Sequence, residues 1–129
     1  MLSRVSGARS VLLRAANGRM FSSDAARPMT RFVQYPFDKT KMEEVRAWCN
    51  EIKLAEQLRT IPGVKDLEIS FCPGQGWLAA RYIFNDLEDL KAFGGNATLQ
   101  KIAEETKKHP NYDKTREVHE FKGFYLSEV

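Results

Sequence analysis

Three features of this sequence of 129 residues predict an α+β domain of the ferredoxin-like class, βαββαβ with a four-stranded antiparallel sheet. Leu67, Ile69 and Phe71 alternate with Asp66, Glu68 and Ser70, the period of a strand buried on one face. Met42, Val45, Trp48, Cys49, Ile52, Ala55 and Leu58 recur at threes and fours, which gives a helix one apolar stripe. Residues 77–84 are apolar almost throughout, the pattern of a strand covered on both faces.

The first strand spans residues 30–37, with Phe32, Val33, Tyr35 and Phe37 on both faces, and Pro36 costs it one ladder donor near its end. Thr40 and Glu43 have the spacing of a capping box, so the first helix opens there and runs through Leu58. Ile61-Pro62-Gly63 stops it, because proline lacks the amide hydrogen and glycine tolerates a left-handed exit. Pro73-Gly74-Gln75-Gly76 joins the second strand to the third. The glycines look like part of a phosphate loop, but a strand follows them where such a loop opens a helix, so they form a hairpin turn.

Asp86 caps a short helix carrying Leu87, Leu90 and Phe93. Gly94-Gly95-Asn96 then costs a continuous helix about 2 kcal/mol, which predicts a kink or restart before Leu99, Ile102 and Ala103. Lys107 and Lys108 suit the negative helix end and Pro110 terminates it. The last strand covers residues 117–126, and Gly123 inside it predicts a bulge. In this topology the first and third strands are central and the second is an edge. Helices cover only one face, so the large apolar groups on the other need a lid. A second copy of the sheet supplies one, which predicts a homodimer.

Residues 1–21 hold Arg4, Arg9, Arg14 and Arg19, no acid, and much serine, alanine and leucine, the composition of an organelle transit peptide. Arg19-Met20-Phe21 before Ser22 resembles a mitochondrial cleavage signal, although a plastid address fits the same composition. The predicted organisation is a mitochondrial transit peptide at 1–21, a linker at 22–29 and the domain at 30–129, working in the matrix. Of 20 basic residues, 20 less four leaves 16 against 17 acidic, a mature net charge of −1. That balance gives no basic patch for nucleic acid, and no apolar run has the length of a membrane span. Cys49 and Cys72 read as small buried hydrophobes in a reducing compartment.

The stretches Ile61-Pro-Gly-Val-Lys-Asp-Leu and Arg81-Tyr-Ile-Phe-Asn-Asp-Leu-Glu-Asp-Leu resemble the dimeric α/β-barrel superfamily, above all antibiotic biosynthesis monooxygenase (ABM) domains. The likeness covers about residues 31–126. It implies two ferredoxin-like subunits with their sheets pressed together. It also implies a role in binding a small hydrophobic, aromatic or acidic molecule or in oxygenating it as a cofactor-independent monooxygenase, without metal or flavin. Haem-degrading members use an asparagine on the first strand and a tryptophan and a histidine on the second helix. Here those places fall to Phe32 or Gln34, Phe93 and Ala103, which argues against haem degradation.

The two histidines, His109 and His119, have no helical ligand spacing, so no metal site is expected, and His109 reads as a solvated helix cap. Arg81 stands mid-strand among apolar neighbours, where an unpaired charge costs several kcal/mol. It either pairs with a carboxylate across the sheet or at the dimer edge, or anchors an acidic or phenolic ligand. Because a dry helix-packed core rejects arginine, Trp77, Ala79, Arg81 and Ile83 belong to the open face together with Gln34, while Tyr82 and Phe84 pack under the helices. Gln34, Trp77, Arg81 and Phe93 are the candidate ligand-binding residues, and no catalytic residue is identified. A sealed cavity lined by Gln34 and Arg81 would favour the ligand reading. A solidly packed sheet face would favour the alternative, a non-catalytic interaction module or accessory subunit of a mitochondrial complex.

Overall fold

The computed structural model describes residues 27–124. The predicted targeting segment, most of the predicted linker and the end of the last predicted strand lie outside the described residues. Strand β1 (Met29–Pro36) leads through a 3-10 turn (Lys39–Lys41) into helices α1 (Met42–Glu51) and α2 (Leu54–Arg59). Strands β2 (Val64–Cys72) and β3 (Trp77–Phe84) follow, then helices α3 (Leu87–Gly94) and α4 (Ala97–Lys108) and strand β4 (His119–Phe124). The sheet order is β2-β3-β1-β4, antiparallel throughout. This is the ferredoxin-like arrangement, with the first and third strands central and the second at an edge. Among the described residues no helix is long and apolar enough to cross a membrane.

Register assigns the faces, because successive side chains of a strand point to opposite sides. Arg31, Val33 and Tyr35 lie opposite Tyr82, Ala80 and Leu78. Tyr82 and Leu78 belong to the apolar core with Val45, Leu58, Phe93 and Ile102 from the helices, so this is the covered face. Thr30, Phe32, Gln34 and Pro36 pair with Ile83, Arg81, Ala79 and Trp77 on the open face. Phe121 of β4 sits opposite Phe32 and is 59% exposed, so the open face presents aromatic surface.

Five local expectations are corrected. The first helix is two helices, broken at Lys53, whose φ of 54° is left-handed. The Ile52 and Lys53 amides donate to Trp48 and Asn50 carbonyls, and the Gln57 amide side chain donates to the Ile52 carbonyl. The break re-aims the chain so that Leu54 is buried, where an unbroken stripe would have used Ala55. The Thr40–Glu43 capping box does not form. Asp38 accepts from the Thr40 amide and hydroxyl at 2.9 and 2.7 Å, and Glu43 pairs with Arg46.

Gly123 makes no bulge, since the β1–β4 register runs unbroken from Met29↔Phe124 to Gln34↔His119. The irregularity falls on the edge strand between Val64 and Asp66, where one partner is absent and displacement is cheap. Gly123 instead leaves room for the Phe121 ring, which a Cβ there would meet at 3.0 Å. The thiol of Cys72 is exposed, because it faces outward at the end of the edge strand, and Cys49 is half-buried. Both are free cysteines. The restart after α3 is as expected: the Asn96 side chain caps α4 by accepting from the Thr98 and Leu99 amides.

His109 ends α4, but as a packed group. Its ring lies 4.9 Å from Trp48 and 5.8 Å from Phe37, and its Nδ1 accepts from the Asn111 amide at 3.0 Å. Burial lowers its pKa and nearby Glu44 opposes the change. A depressed folded-state value means that its contribution is present above the unfolded value of about 6.5 and is lost as pH falls through the folded value. Thermal melts should therefore show stability declining on acidification below pH 6.5, and His109→Gln should flatten that limb. An unchanged acid limb in the variant would remove His109 from this role. Asp38 and Asp113, held low by hydrogen bonds from Thr40 and Thr115, lose their contributions only in more acidic solution.

Candidate functional site

Arg31 is the polar group that the covered face should not contain. It begins on an alternating strand whose other inward residues are Val33 and Tyr35, so its side chain is carried under the helices and is 9% exposed. Nε donates to Glu120 Oε2 at 2.5 Å across β4. The guanidinium lies 5.4 Å from the Tyr82 ring centre and 5.5 Å from that of Phe93, within cation–π range. Its Nη1 is buried and has no hydrogen-bond partner. Leaving such a donor unmade costs about 1–3 kcal/mol, so the position is expensive unless something is bound there.

The space beside this group is a cavity of about 30 Å³ between sheet and helices, lined by Arg31, Tyr35 and Tyr82 with Ile102, Ala103 and Thr106 of α4. That is the share of one water molecule. Burial pushes the Tyr82 phenol up to about 12, with Arg31 opposing, and raises Tyr35 for the same reason. Both phenols are therefore protonated donors at neutral pH. Together with Nη1 they suit an oxyanion or carbonyl. Behind Tyr82, the Phe93 ring packs at a tilt, 4.7 Å from Tyr82 and 5.0 Å from Phe84. Among the described residues no group of three or more metal-ligating side chains converges.

The sequence-chosen residues are divided between the two faces. Phe93 is at the Arg31 guanidinium. Gln34 and Trp77 meet on the open face through His119, whose Nδ1 is 3.2 Å from Gln34 Oε1 and whose ring is 5.1 Å from Trp77. Arg81 lies opposite Glu68 and pairs with it at 3.2 Å, with their side chains 50% and 64% exposed. Such a surface pair contributes under about 1 kcal/mol, so Arg81 carries no unpaired buried charge. Arg31, Tyr35, Tyr82 and Glu120 were missed. The signal was available: the alternation that sends Val33 and Tyr35 inward sends Arg31 with them.

Neither a family model nor a curated protein matches this sequence. Solved structures do match. A monooxygenase of Streptomyces coelicolor, ActVA-Orf6, crystallised with nanaomycin D, superposes with a TM-score of 0.62 at 10% identity, over 83% of this chain and 95% of that one. The chain has an ABM-like ferredoxin fold. SnoaB, a cofactor-independent oxygenase of Streptomyces nogalater, gives 0.54 at 11% identity, covering 81% of this chain and 97% of its own. A dimeric ferredoxin-like protein of unknown function from Bacteroides fragilis gives 0.58 at 18%, covering 76% and 96%. At these identities the likeness to the ABM-like proteins is one of fold.

Proposed function

We propose that this ABM-like chain binds a small aromatic molecule bearing one acidic or phenolic oxygen between its sheet and helices, with Arg31 as the anchor. The observation that carries this reading is the buried, unpartnered Nη1 of Arg31, a residue that lines a cavity with Tyr35 and Tyr82. The anchoring role thus moves from Arg81 to Arg31. The chemistry that fits is oxygenation in which the substrate anion itself gives electrons to O₂. A ring methylene would become a carbonyl, one O₂ would be consumed and one water released. Arg31 would hold the charge on the substrate oxygen, as preorganised donors do for developing oxyanions. Glu120 would hold the Arg31 guanidinium in position through Nε. The test is O₂ uptake with an anthrone under metal-free conditions. Uptake matching ketone formation supports oxygenation; binding without uptake leaves a binding protein.

The fold of a dimeric neighbour and the strip of half-buried Phe32 and exposed Phe121 support a homodimer formed by the open faces. Covering that strip needs an interface above about 1,000 Å². Light scattering at micromolar concentration should report twice the chain mass, and a stable monomer would contradict this. The arginine-bearing, acid-free residues 1–21 support import into mitochondria with cleavage near Phe21. N-terminal sequencing of organelle-purified protein should begin near Ser22, and a retained Met1 would refute import with cleavage.

The division of candidates between faces supports a second reading. Because the inner cavity holds about one water and Arg31 already has Glu120, the open face with Gln34, Trp77 and His119 would be the working surface of an accessory subunit. A ligand-free protein that co-purifies stoichiometrically with a larger complex would favour it.

A further inference from the structure

A second cavity, of about 240 Å³, lies between α1, the start of α2 and the outer half of β2, with Cys49, Phe71 and Arg46 on its walls. It shares Leu54, Ile69 and Leu78 with the Arg31 cavity. The two spaces are therefore the two sides of one apolar partition. Neither is a ligand site alone, since the inner one matches a water and the outer one falls short of the roughly 300 Å³ at which small-molecule sites begin. Joined, and with the space that a displaced Leu54 side chain would free, they would accept an aromatic body with its polar end at Arg31.

Leu54 is the part of the partition that lies outside the hydrogen-bonded ladder of the sheet. It follows Lys53, which among the described residues is the sole non-glycine with a left-handed φ, and it starts a helix of only six residues. The strain at Lys53 and the brevity of α2 tie Leu54 less firmly than Ile69 and Leu78, which sit in the hydrogen-bonded ladder of β2 and β3. We infer that the outer cavity is the vestibule of the Arg31 site and that Leu54 is the gate between them. The ligand class is a two-ring aromatic with its acid at one end: the anion reaches Nη1 past Leu54 while the rings remain beside Cys49. This inference rests on the Arg31 reading of the preceding section.

The Cys49 thiol, pushed up to about 11 by burial, reports on occupancy of the vestibule. In a Cys72→Ser background it is the cysteine left to alkylate. The probe is 1-hydroxy-2-naphthoate, whose own fluorescence gives its affinity independently of the thiol. Saturating probe should slow alkylation of Cys49 by iodoacetamide at least tenfold, and Arg31→Met should weaken binding at least tenfold. Leu54→Ala should raise the association rate at least tenfold. Should that variant not fold, Leu54→Val takes its place in the rate measurement. Arg31-dependent binding that leaves Cys49 unprotected would overturn the vestibule and leave the anchor standing. Protection that survives Arg31→Met would keep the vestibule and overturn the anchor. An association rate within twofold of the parent in folded Leu54→Ala would overturn the gate, and no binding of the probe would overturn all three.

Discussion

Arg31→Met should lose affinity for acidic aromatics by about 1.5–3 kcal/mol while its melting temperature holds or rises. Methionine keeps the apolar stem and continues to pack on the Tyr82 and Phe93 rings that now face the guanidinium. The substitution removes a buried charge and an unmade hydrogen bond. The Glu120 carboxylate is 39% exposed, so on losing its partner it returns to water at little cost. Arg31→Lys should not restore binding, because a single ammonium cannot hold Glu120 and present a second donor from one rigid plane. A purely structural ion pair makes the opposite prediction: lower stability, with any ligand bound as before. Calorimetric titration and a thermal melt on the same samples separate the two.

Gly76→Ala should destabilise the fold by about 2–4 kcal/mol. Gly76 has a φ of 76°, and a Cβ there would collide with the Phe37 carbonyl oxygen and come within 2.8 Å of Arg116 Nη2. Both neighbours belong to one latch. Gly76 accepts from the Phe37 amide at 2.8 Å, while Arg116 donates to the carbonyls of Gln75 and Phe37 at 2.9 and 2.6 Å and covers Trp77 at 4.7 Å. The alanine therefore strains the β2–β3 turn and parts it from the loop that leads into β4. In a domain of this size the loss should lower the melting temperature by roughly 10–20 °C. Gly74→Ala is the control, since a Cβ there meets nothing within 4 Å, and it should melt with the parent. Equal melting of the two variants would show that the latch contributes little.

The fold was legible because its signals are local and repeat. Alternation in β2, the stripe of α1, the glycine break before α4 and the near-continuous apolar run of β3 each follow from neighbours in sequence. Strand order then followed from the order of the elements, and the apolar character of the central strands agreed with it. The helix break at Lys53 was not legible, because a lysine in a left-handed conformation is held by contacts it does not choose. The site was half legible. Excluding arginine from the covered face placed Arg81 correctly on the open one, yet the same rule hides Arg31. What lets Arg31 stay buried is a carboxylate 89 residues away and two rings from β3 and α3, partners that only the tertiary fold assembles. Phe93, chosen through resemblance, packs against the guanidinium of a different arginine, Arg31, and is not part of the cavity lining.

The most direct test of Arg31 as the anchor is heteronuclear NMR of the isotope-labelled chain titrated with 1-hydroxy-2-naphthoate. The account predicts a shifted Arg31 Nε–H signal, together with amide changes around Tyr82, Phe93 and Ile102. Changes confined to Gln34, Trp77 and Arg81, with the Arg31 signal unmoved, would contradict it and place ligand binding on the open face.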